Sequence, residues 1–526
     1  MMKTTVILPI LASLISANAQ SSGPIVNTSS ASFQGTFDTT TNVTNFFGIR
    51  YASPPIGDLR FRAPQPPPAI SGVQQADTRP PECFQASRGL NPVNPFVNGT
   101  VEKRQTVQQT EDCLFLNVHI PGSSVSKQPL PVVVWIHGGG YVGGSASVFP
   151  GSDLIHEADS GVIAVTIQYR LGVFGFLSGQ KVKDDGALNA GLPFRWVHEH
   201  ISSFGGDNEK ITIWGESAGA GSVLQHVIAQ NGQTRPQLFR AAMTSSTFLP
   251  SQYNFNDRIP EAVFGEVVAM TNCSSAQDTL SCLRAVDANT LEAANTNISM
   301  NGFFGTFLFV PVVDGSFITQ RATEALRQRK VNGQALLSVT NTNEGVSFVN
   351  QTNLGVEAAT YAVTLFPNFG AVQEQEVARI YAGLGSPLNQ ANRIMGESIF
   401  ICPTYFLLNA FAGNGFKGEF ALPPATHGMD VAYYFPNNAR PSFQNPDFLK
   451  AFSGVFMDFV ISLDPNVKVD PTNITPRWSK FNVGNTEMVF NRTEDSTAAV
   501  IHTTTTDPKL LERCNFWDSV GALTGQ

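Results

Sequence analysis

The sequence predicts an α/β fold with one large, mostly parallel sheet and helices on both faces. Two observations predict it. Short continuous apolar runs at 131–136 (PVVVWI), 162–167 (VIAVTI) and 211–214 (ITIW) have the length and composition of strands buried on both faces. Stretches with helical spacing at 194–203 and 222–230 lie among them, and alternating strand and helix is the pattern of a parallel sheet. Further strands are expected at 241–245 and 335–340. Residues 250–330 and 355–425 are less regular and more helical, as insertions beside the sheet would be. The 526 residues contain no linker long enough to separate domains, so one large domain over 20–526 is expected.

In chain order, residues 1–19 come first and read as a secretory leader. Lys3 supplies the positive start, and Val6 to Ile15 is apolar but shorter than the ~20 residues of a membrane span. Ala17-Asn18-Ala19 is a small-x-small cleavage signal, so the mature, secreted chain is expected to begin at Gln20. No later segment reaches membrane-spanning length. Asn-x-Ser/Thr acceptors for glycans stand at Asn27, Asn42, Asn98, Asn272, Asn297, Asn350, Asn473 and Asn491, with Asn272 and Asn473 the weaker ones. Six cysteines suit an oxidising compartment. Their grouping suggests sequential pairs: Cys83 with Cys113, Cys273 with Cys282, Cys402 with Cys514. No CxxC or HxxxH spacing accompanies them, so no metal is expected. Pro-rich stretches at 53–68 and 92–95 read as irregular surface structure.

Composition excludes several classes. Charged residues make 14% of the chain, against a usual ~25%, while 39 Phe are present. Disorder needs the reverse balance. A net charge of −8 gives no footprint for nucleic acid. No fixed-period repeat suggests a solenoid. A thinly charged surface of Ser, Thr, Asn and Gln fits a secreted glycoprotein.

The chemistry-bearing motifs follow the apolar runs. Gly215-Glu-Ser-Ala-Gly219 comes directly after the strand at 211–214 and before a helical stretch. This G-x-S-x-G pattern lifts a serine hydroxyl, here Ser217, above the sheet edge on a strained turn. The helix behind it favours developing negative charge. His137-Gly-Gly-Gly-Tyr141 follows the strand at 131–136, and its glycines let backbone N–H groups approach a bound carbonyl oxygen. Gly139, Gly140 and Ala218 are the expected oxyanion donors. Glu216 is expected to be a buried, hydrogen-bonded neighbour of the nucleophile that tunes the site.

A serine nucleophile needs a base, and histidine supplies one near neutral pH. Well downstream of Ser217 stand only His427 and His502. His427 precedes Gly428 in a loop, whereas His502 lies in a Thr run and reads as solvated; His198 and His200 read as surface residues of a helix. In the order Ser, acid, His, the acid falls before 427. Glu344, after the strand at 335–340, is favoured over Asp314, whose Pro-Val-Val-Asp-Gly setting reads as a turn.

With these residues assembled, the chain resembles the type-B carboxylesterase/lipase family, α/β hydrolases that include cholinesterases and secreted fungal lipases. The resemblance spans about residues 24–520 and rests on Phe204-Gly-Gly-Asp207 leading into GESAG, Glu111-Asp-Cys-Leu-Phe-Leu-Asn117, HGGGY, Asn343-Glu-Gly345 and His427-Gly. It implies an α/β-hydrolase fold with helical insertions forming the pocket. It also implies a Ser217/Glu344/His427 triad, the same three sequential disulfides, and an ion pair between Arg60 and Glu111. The activity implied is hydrolysis of carboxylic esters through an acyl-enzyme, without a cofactor. The partner expected is a small-molecule or lipid ester. The alternative from another class is a cholinesterase-like adhesion protein that has lost catalysis; relatives of that kind lack the nucleophile, which this chain keeps.

One departure stands out. After Asn189-Ala-Gly-Leu192 the family continues with Asp-Gln and about one more helical turn, whereas here Pro193-Phe194 runs straight into Arg195-Trp196-Val197. The missing Asp would pair with Arg170. Either a neighbour such as Asp184 or Asp185 is then expected to compensate, or the sequence carries a gene-model gap at this turn. The loop closed by Cys83 and Cys113 is expected to overhang the pocket. Its residues 103–112 carry no aromatic side chain, which argues against a choline-ester specialist. Phe84, Leu90, Val93, Phe96 and Val97 could face a lipid interface from a lid, although Pro92 and Pro95 interrupt a helix there. Phe303, Phe304 and Phe307 are candidates to line an acyl pocket.

Overall fold

The apolar runs become the middle of a twisted sheet because each of them buries both faces. In the strand Leu130–Ile136, Val132, Val134 and Ile136 join one hydrophobic core while Val133 and Trp135 join the core on the other face. Ile211, Ile213 and Trp214 divide in the same way in the strand Gly206–Glu216. This computed structural model describes residues 20–92, 109–189 and 194–526.

The parallel body of the sheet runs Ile163–Ile167, Leu130–Ile136, Gly206–Glu216, Ala241–Ser245, Ala335–Asn341, Gly415–Phe420 and Thr486–Arg492 in spatial order. The register sets Trp135 beside Trp214 and Trp214 beside Met243. Antiparallel strands extend both edges: Phe115–Pro121, Val43–Arg50, Ser32–Asp38 and Gln20–Asn27 on one side, Ala499–Thr505 on the other. His502 lies exposed on that last edge strand. The outer strands Ser32–Asp38 and Val43–Arg50 carry no long apolar run, since buried and partly exposed positions are interleaved along them.

One face is covered by the helix Pro446–Ser462. Asn445 caps it by accepting from the Phe448 amide, and Pro446 occupies its first turn. Phe448, Phe452, Phe456 and Phe459 form its buried stripe at helical spacing. Phe456 stacks on Trp214 at 4.8 Å and Phe452 on Tyr434 at 5.2 Å. Part of the Phe excess is used here, as aromatic packing against the sheet, and more of it lies in the opposite core. The opposite core takes the insertions, among them the helices Arg258–Met270, Ala288–Asn301, Ala358–Leu365 and Cys402–Ala410.

Disulfides join Cys83 to Cys113, Cys273 to Cys282 and Cys402 to Cys514. Arg60 and Glu111 form a buried bidentate pair, Nε to Oε1 and Nη2 to Oε2, both 2.6 Å. The free edge of the Arg60 guanidinium donates to the Leu283, Arg284 and Val286 carbonyls, so the pair also fastens the Cys273–Cys282 region to the body. No helix among the described residues is long and apolar enough to cross a membrane.

Three expectations need correction or placement. Neither Asp184 nor Asp185 serves Arg170: Asp185 pairs with Arg284 at 2.5 Å and Asp184 accepts from Gln180, while Arg170 donates Nη2 to the Arg62 carbonyl. Asp185 lies nearer a second arginine, and backbone carbonyl supplies part of what the missing Asp would have offered. Leu192 and Pro193 lie outside the described residues. Asn473 is buried, with its amide nitrogen donating to the Lys450 carbonyl, so in the folded chain this sequon presents no open acceptor. Of the proposed lid face, Phe84 stacks on Phe174 at 5.1 Å and so packs down on the body, and Leu90 is exposed. Val93, Phe96, Val97 and the residues 1–19 and Asn98 lie outside the described residues.

Candidate active site

Four loops that leave the carboxyl ends of neighbouring parallel strands converge on one place, as ligand sites in open α/β sheets do. The turn after Gly206–Glu216 brings Ser217. Its backbone sits at φ 55° and ψ −122°, outside the ordinary regions for a non-glycine residue. The Ser217 amide is held by the Ser245 carbonyl at 3.0 Å, and the helix Ala218–Ile228 starts immediately behind it. The tight turn works because Gly219 has no side chain: a Cβ there would stand 2.0 Å from the Ile136 carbonyl oxygen.

The His137–Tyr141 loop lies against this turn, since a Cβ at Gly138 would stand 3.0 Å from Ser217 Cβ. Gly139 and Gly140 have φ of 110° and 64°, conformations that favour glycine. Among the described residues, neither of their amides donates to a protein acceptor. Ala218 is the first helical residue, and a helix leaves that amide without an intrahelical partner. Phe307 stands over Gly140 so closely that a Cβ there would fall 2.0 Å from its ring.

Glu344 follows the strand Ala335–Asn341, and His427 follows Gly415–Phe420 after a short loop. The two loops are tied together by backbone: the Asn343 amide donates to Ala425 at 2.8 Å and its side chain to the Pro424 carbonyl at 2.9 Å. This places His427 Nδ1 2.6 Å from Glu344 Oε2. The second carboxylate oxygen, Oε1, accepts from Ser246 Oγ and the Asn341 amide, both at 2.7 Å. Glu344 is only 1% exposed, and both of its carboxylate oxygens have polar partners.

Glu216 also reaches the imidazole. Its Oε1 lies 3.3 Å from His427 Nε2, the nitrogen on the side opposite Glu344. Burial pushes the Glu216 carboxyl up to about 8, with His427 pulling it down and the charges of Asp430 and Glu344 pushing it further up. Burial opposes a charge on His427, but Glu344, Glu216 and Asp430 outweigh it and leave its pKa above the ordinary 6.5. Phe348 and Phe400 pack on the imidazole at 4.8 and 4.4 Å, holding its ring plane and excluding water from that side. Phe400 belongs to a single wide π-helical turn, Glu397–Ile401, a feature that often marks functional sites.

Sequence reasoning missed Ser246, Asn341 and Asp430. Asn341 Nδ2 bridges Ser246 Oγ at 3.2 Å and Asp430 Oδ1 at 3.0 Å, and Tyr434 donates to Asp430 Oδ2 at 2.8 Å. Burial raises the Asp430 carboxyl. Their one local signal was position, since Ser246 and Asn341 end or directly follow strands whose neighbours carry Ser217 and Glu344. Asp314 binds the Ser316, Phe317 and Ile318 amides and the Asn189 side chain, which makes it a turn residue and not a partner of His427.

A cavity of about 480 Å³ is lined by Glu344 with Asn343, Gly345 and Gly396, and two further cavities lie among the aromatic residues of the insertions. One of about 210 Å³ is lined by Phe248, Val263, Phe307, Leu308, Leu365 and Met395 among others. Another of about 300 Å³ lies against Phe303, Phe304, Val349 and Tyr361.

A sequence model of the Carboxylesterase family matches residues 22–517. Lipase 2 of Diutina rugosa is 30% identical, over 85% of this chain and 88% of its own length. A secreted triacylglycerol lipase of Gibberella zeae is 29% identical, over 83% of this chain and 82% of its own. Among solved structures, Aspergillus niger EstA superposes with a TM-score of 0.84 at 29% identity, covering 96% of this chain and 99% of that one.

Proposed function

Since this chain belongs to the carboxylesterase family and is a carboxylic ester hydrolase, we propose that it is a secreted serine esterase working through an acyl-enzyme. Ser217 Oγ attacks the ester carbonyl carbon while His427 takes its proton. The carbonyl π electrons move to oxygen, where the Gly139, Gly140 and Ala218 amides receive the charge. One such donor lowers the barrier by ~3 kcal/mol in comparable sites. The C–O bond to the alcohol then breaks, and His427 returns the proton to the leaving oxygen. Water repeats the sequence on the acyl-enzyme and restores Ser217. Glu344 orients His427 and stabilises its cationic form.

The observation that carries this reading is the 2.6 Å contact of His427 Nδ1 with Glu344 Oε2, beside a serine on a strained strand-to-helix turn. The apolar cavity behind Phe307 supports an acyl chain as the part of the ester bound there. The three disulfides support an oxidising compartment. Labelling by a fluorophosphonate, lost in Ser217→Ala, tests the nucleophile. A panel of 4-nitrophenyl esters of increasing acyl length, with triolein and a sterol ester, tests the substrate class. A rate jump above substrate solubility marks a lipase, and its absence an esterase. No labelling and no hydrolysis would leave the chain as a binding protein and end the proposal.

A further inference from the structure

Arg88 is a half-buried cation beside the site that the mechanism above does not use. Its segment crosses over the oxyanion loop: the Ala86 amide donates to Val142 at 2.7 Å, and Gln85 Oε1 accepts from the Gly144 amide at 3.1 Å. The next residues are pinned to the chain that carries Phe303–Phe307, with the Gly89 amide on the Thr306 carbonyl and the Gly305 amide on the Gly89 carbonyl. From this strap the Arg88 guanidinium donates through Nη1 to the Ser347 carbonyl. Its carbon lies 5.3 Å from the Phe304 ring centre and 6.0 Å from that of Phe348. Phe348 is the ring that packs on His427 at 4.8 Å, so one aromatic ring separates guanidinium and imidazole.

No carboxylate pairs with Arg88 among the described residues. Burial lowers its pKa, and no neighbouring charge offsets that. The Arg88 guanidinium is only partly buried, and its remaining nitrogens keep access to the space beside the site. One carbonyl and two ring faces satisfy part of it and leave Nε and Nη2 without a protein acceptor among the described residues. The other ionisable groups around His427 are the acids Glu216, Glu344 and Asp430. Across the Phe348 ring from them stands the cation Arg88. A planar fork held on aromatic faces suits a carboxylate.

Resting on the ester-hydrolase reading above, we propose that Arg88 is a specificity-determining residue that accepts a second, ionised carboxylate on the substrate, so that the site takes half-esters of dicarboxylic acids or esters of hydroxy acids.

The test compares matched pairs that differ only by the carboxylate: mono-4-nitrophenyl adipate against 4-nitrophenyl hexanoate on the acyl side, and 6-butyryloxyhexanoate against hexyl butyrate on the alcohol side. Arg88→Gln is expected to lower kcat/KM for the anionic member of one pair by about tenfold or more, as loss of a charge-assisted bidentate contact does, with the neutral member changing less than about threefold. Arg88→Lys should keep the charge and recover part of the loss. Raising salt should narrow the gap in the native protein only. Equal losses for both members would make Arg88 a clamp on Ser347 and overturn the proposal, as would unchanged ratios in both pairs. If the native protein hydrolysed neither neutral ester, the ester-hydrolase reading itself would be what failed.

Discussion

Ser246 Oγ donates to Glu344 Oε1 at 2.7 Å, on the carboxylate oxygen opposite the one that faces His427. The carboxylate is thereby held from both ends. One oxygen is anchored by Ser246 and the Asn341 amide, and the other is left to the imidazole. Ser246 itself is positioned by a left-handed backbone, φ 58°, and by its amide on the Val339 carbonyl.

Removing that hydroxyl should loosen Glu344 without removing its charge. Ser246→Ala is expected to lower kcat/KM about tenfold and stability by about 1.5–3 kcal/mol, the range for a hydrogen bond to a charged group. Steady-state kinetics and urea denaturation check the two parts separately. A variant with full activity would show that Asn341 alone anchors the carboxylate.

In the proposed mechanism His427 takes a proton, which it can do only when neutral. With its pKa held above 6.5, activity should rise with pH through a midpoint above 6.5 and be lost as pH falls below it. Glu216 favours the protonated imidazole, so Glu216→Gln removes one of the groups that raise this pKa. The acid limb of kcat/KM should then move to lower pH. A limb that stays in place, or moves upward, would show that Glu216 is not coupled to His427.

The Arg60–Glu111 pair is buried on both sides, with side chains 6% and 7% exposed. Glu111→Ala leaves the guanidinium among carbonyls without its counter-charge and is expected to cost about 3–5 kcal/mol of stability. Replacing both partners, as Arg60→Met with Glu111→Leu, should recover part of that loss. Recovery stays incomplete because Arg60 also donates to Leu283, Arg284 and Val286. Denaturation midpoints of the three proteins give the comparison.

Phe307 stands between Gly140 and the cavity of about 210 Å³. Phe307→Ala removes that wall and joins the cavity to the space over the oxyanion loop. The ratio of kcat/KM for 4-nitrophenyl octanoate over butyrate should rise, by about tenfold if two more methylenes are buried at ~0.8 kcal/mol each. An unchanged ratio would place the acyl chain elsewhere.

The Ser217 turn was legible because its chemistry is local. A strand, a Gly-flanked serine and a helix are contiguous in the chain, and the steric reason for Gly219 lies in the turn itself. The buried central strands were legible for a similar reason, since burial on both faces leaves a continuous apolar run. Glu344 and His427 were legible only as neighbours of strand ends, because a hydrogen bond across 83 residues leaves no local trace. Asp430, Asn341 and Ser246 left less still. Each is an ordinary polar residue until the loops close, and only their mutual distances give them work.

Arg170 makes the same point from the other direction. Sequence assigned it a missing acid and offered Asp184 or Asp185, but the fold brings Arg284 to Asp185 and the Arg62 carbonyl to Arg170. Partner choice among charged residues is decided by which backbones pack together, and single positions do not encode that. The α/β class, the strand-turn-helix setting of Ser217 and the grouping of the cysteines are written in the order of the residues, because all are properties of short range or of pattern. Tertiary structure alone decided the carboxylate environment of His427, the rings that enclose it and the placement of Arg88 one ring away. Those depend on contacts between segments distant in the chain, such as the 83 residues between Glu344 and His427, and burial there shifts the pKa values.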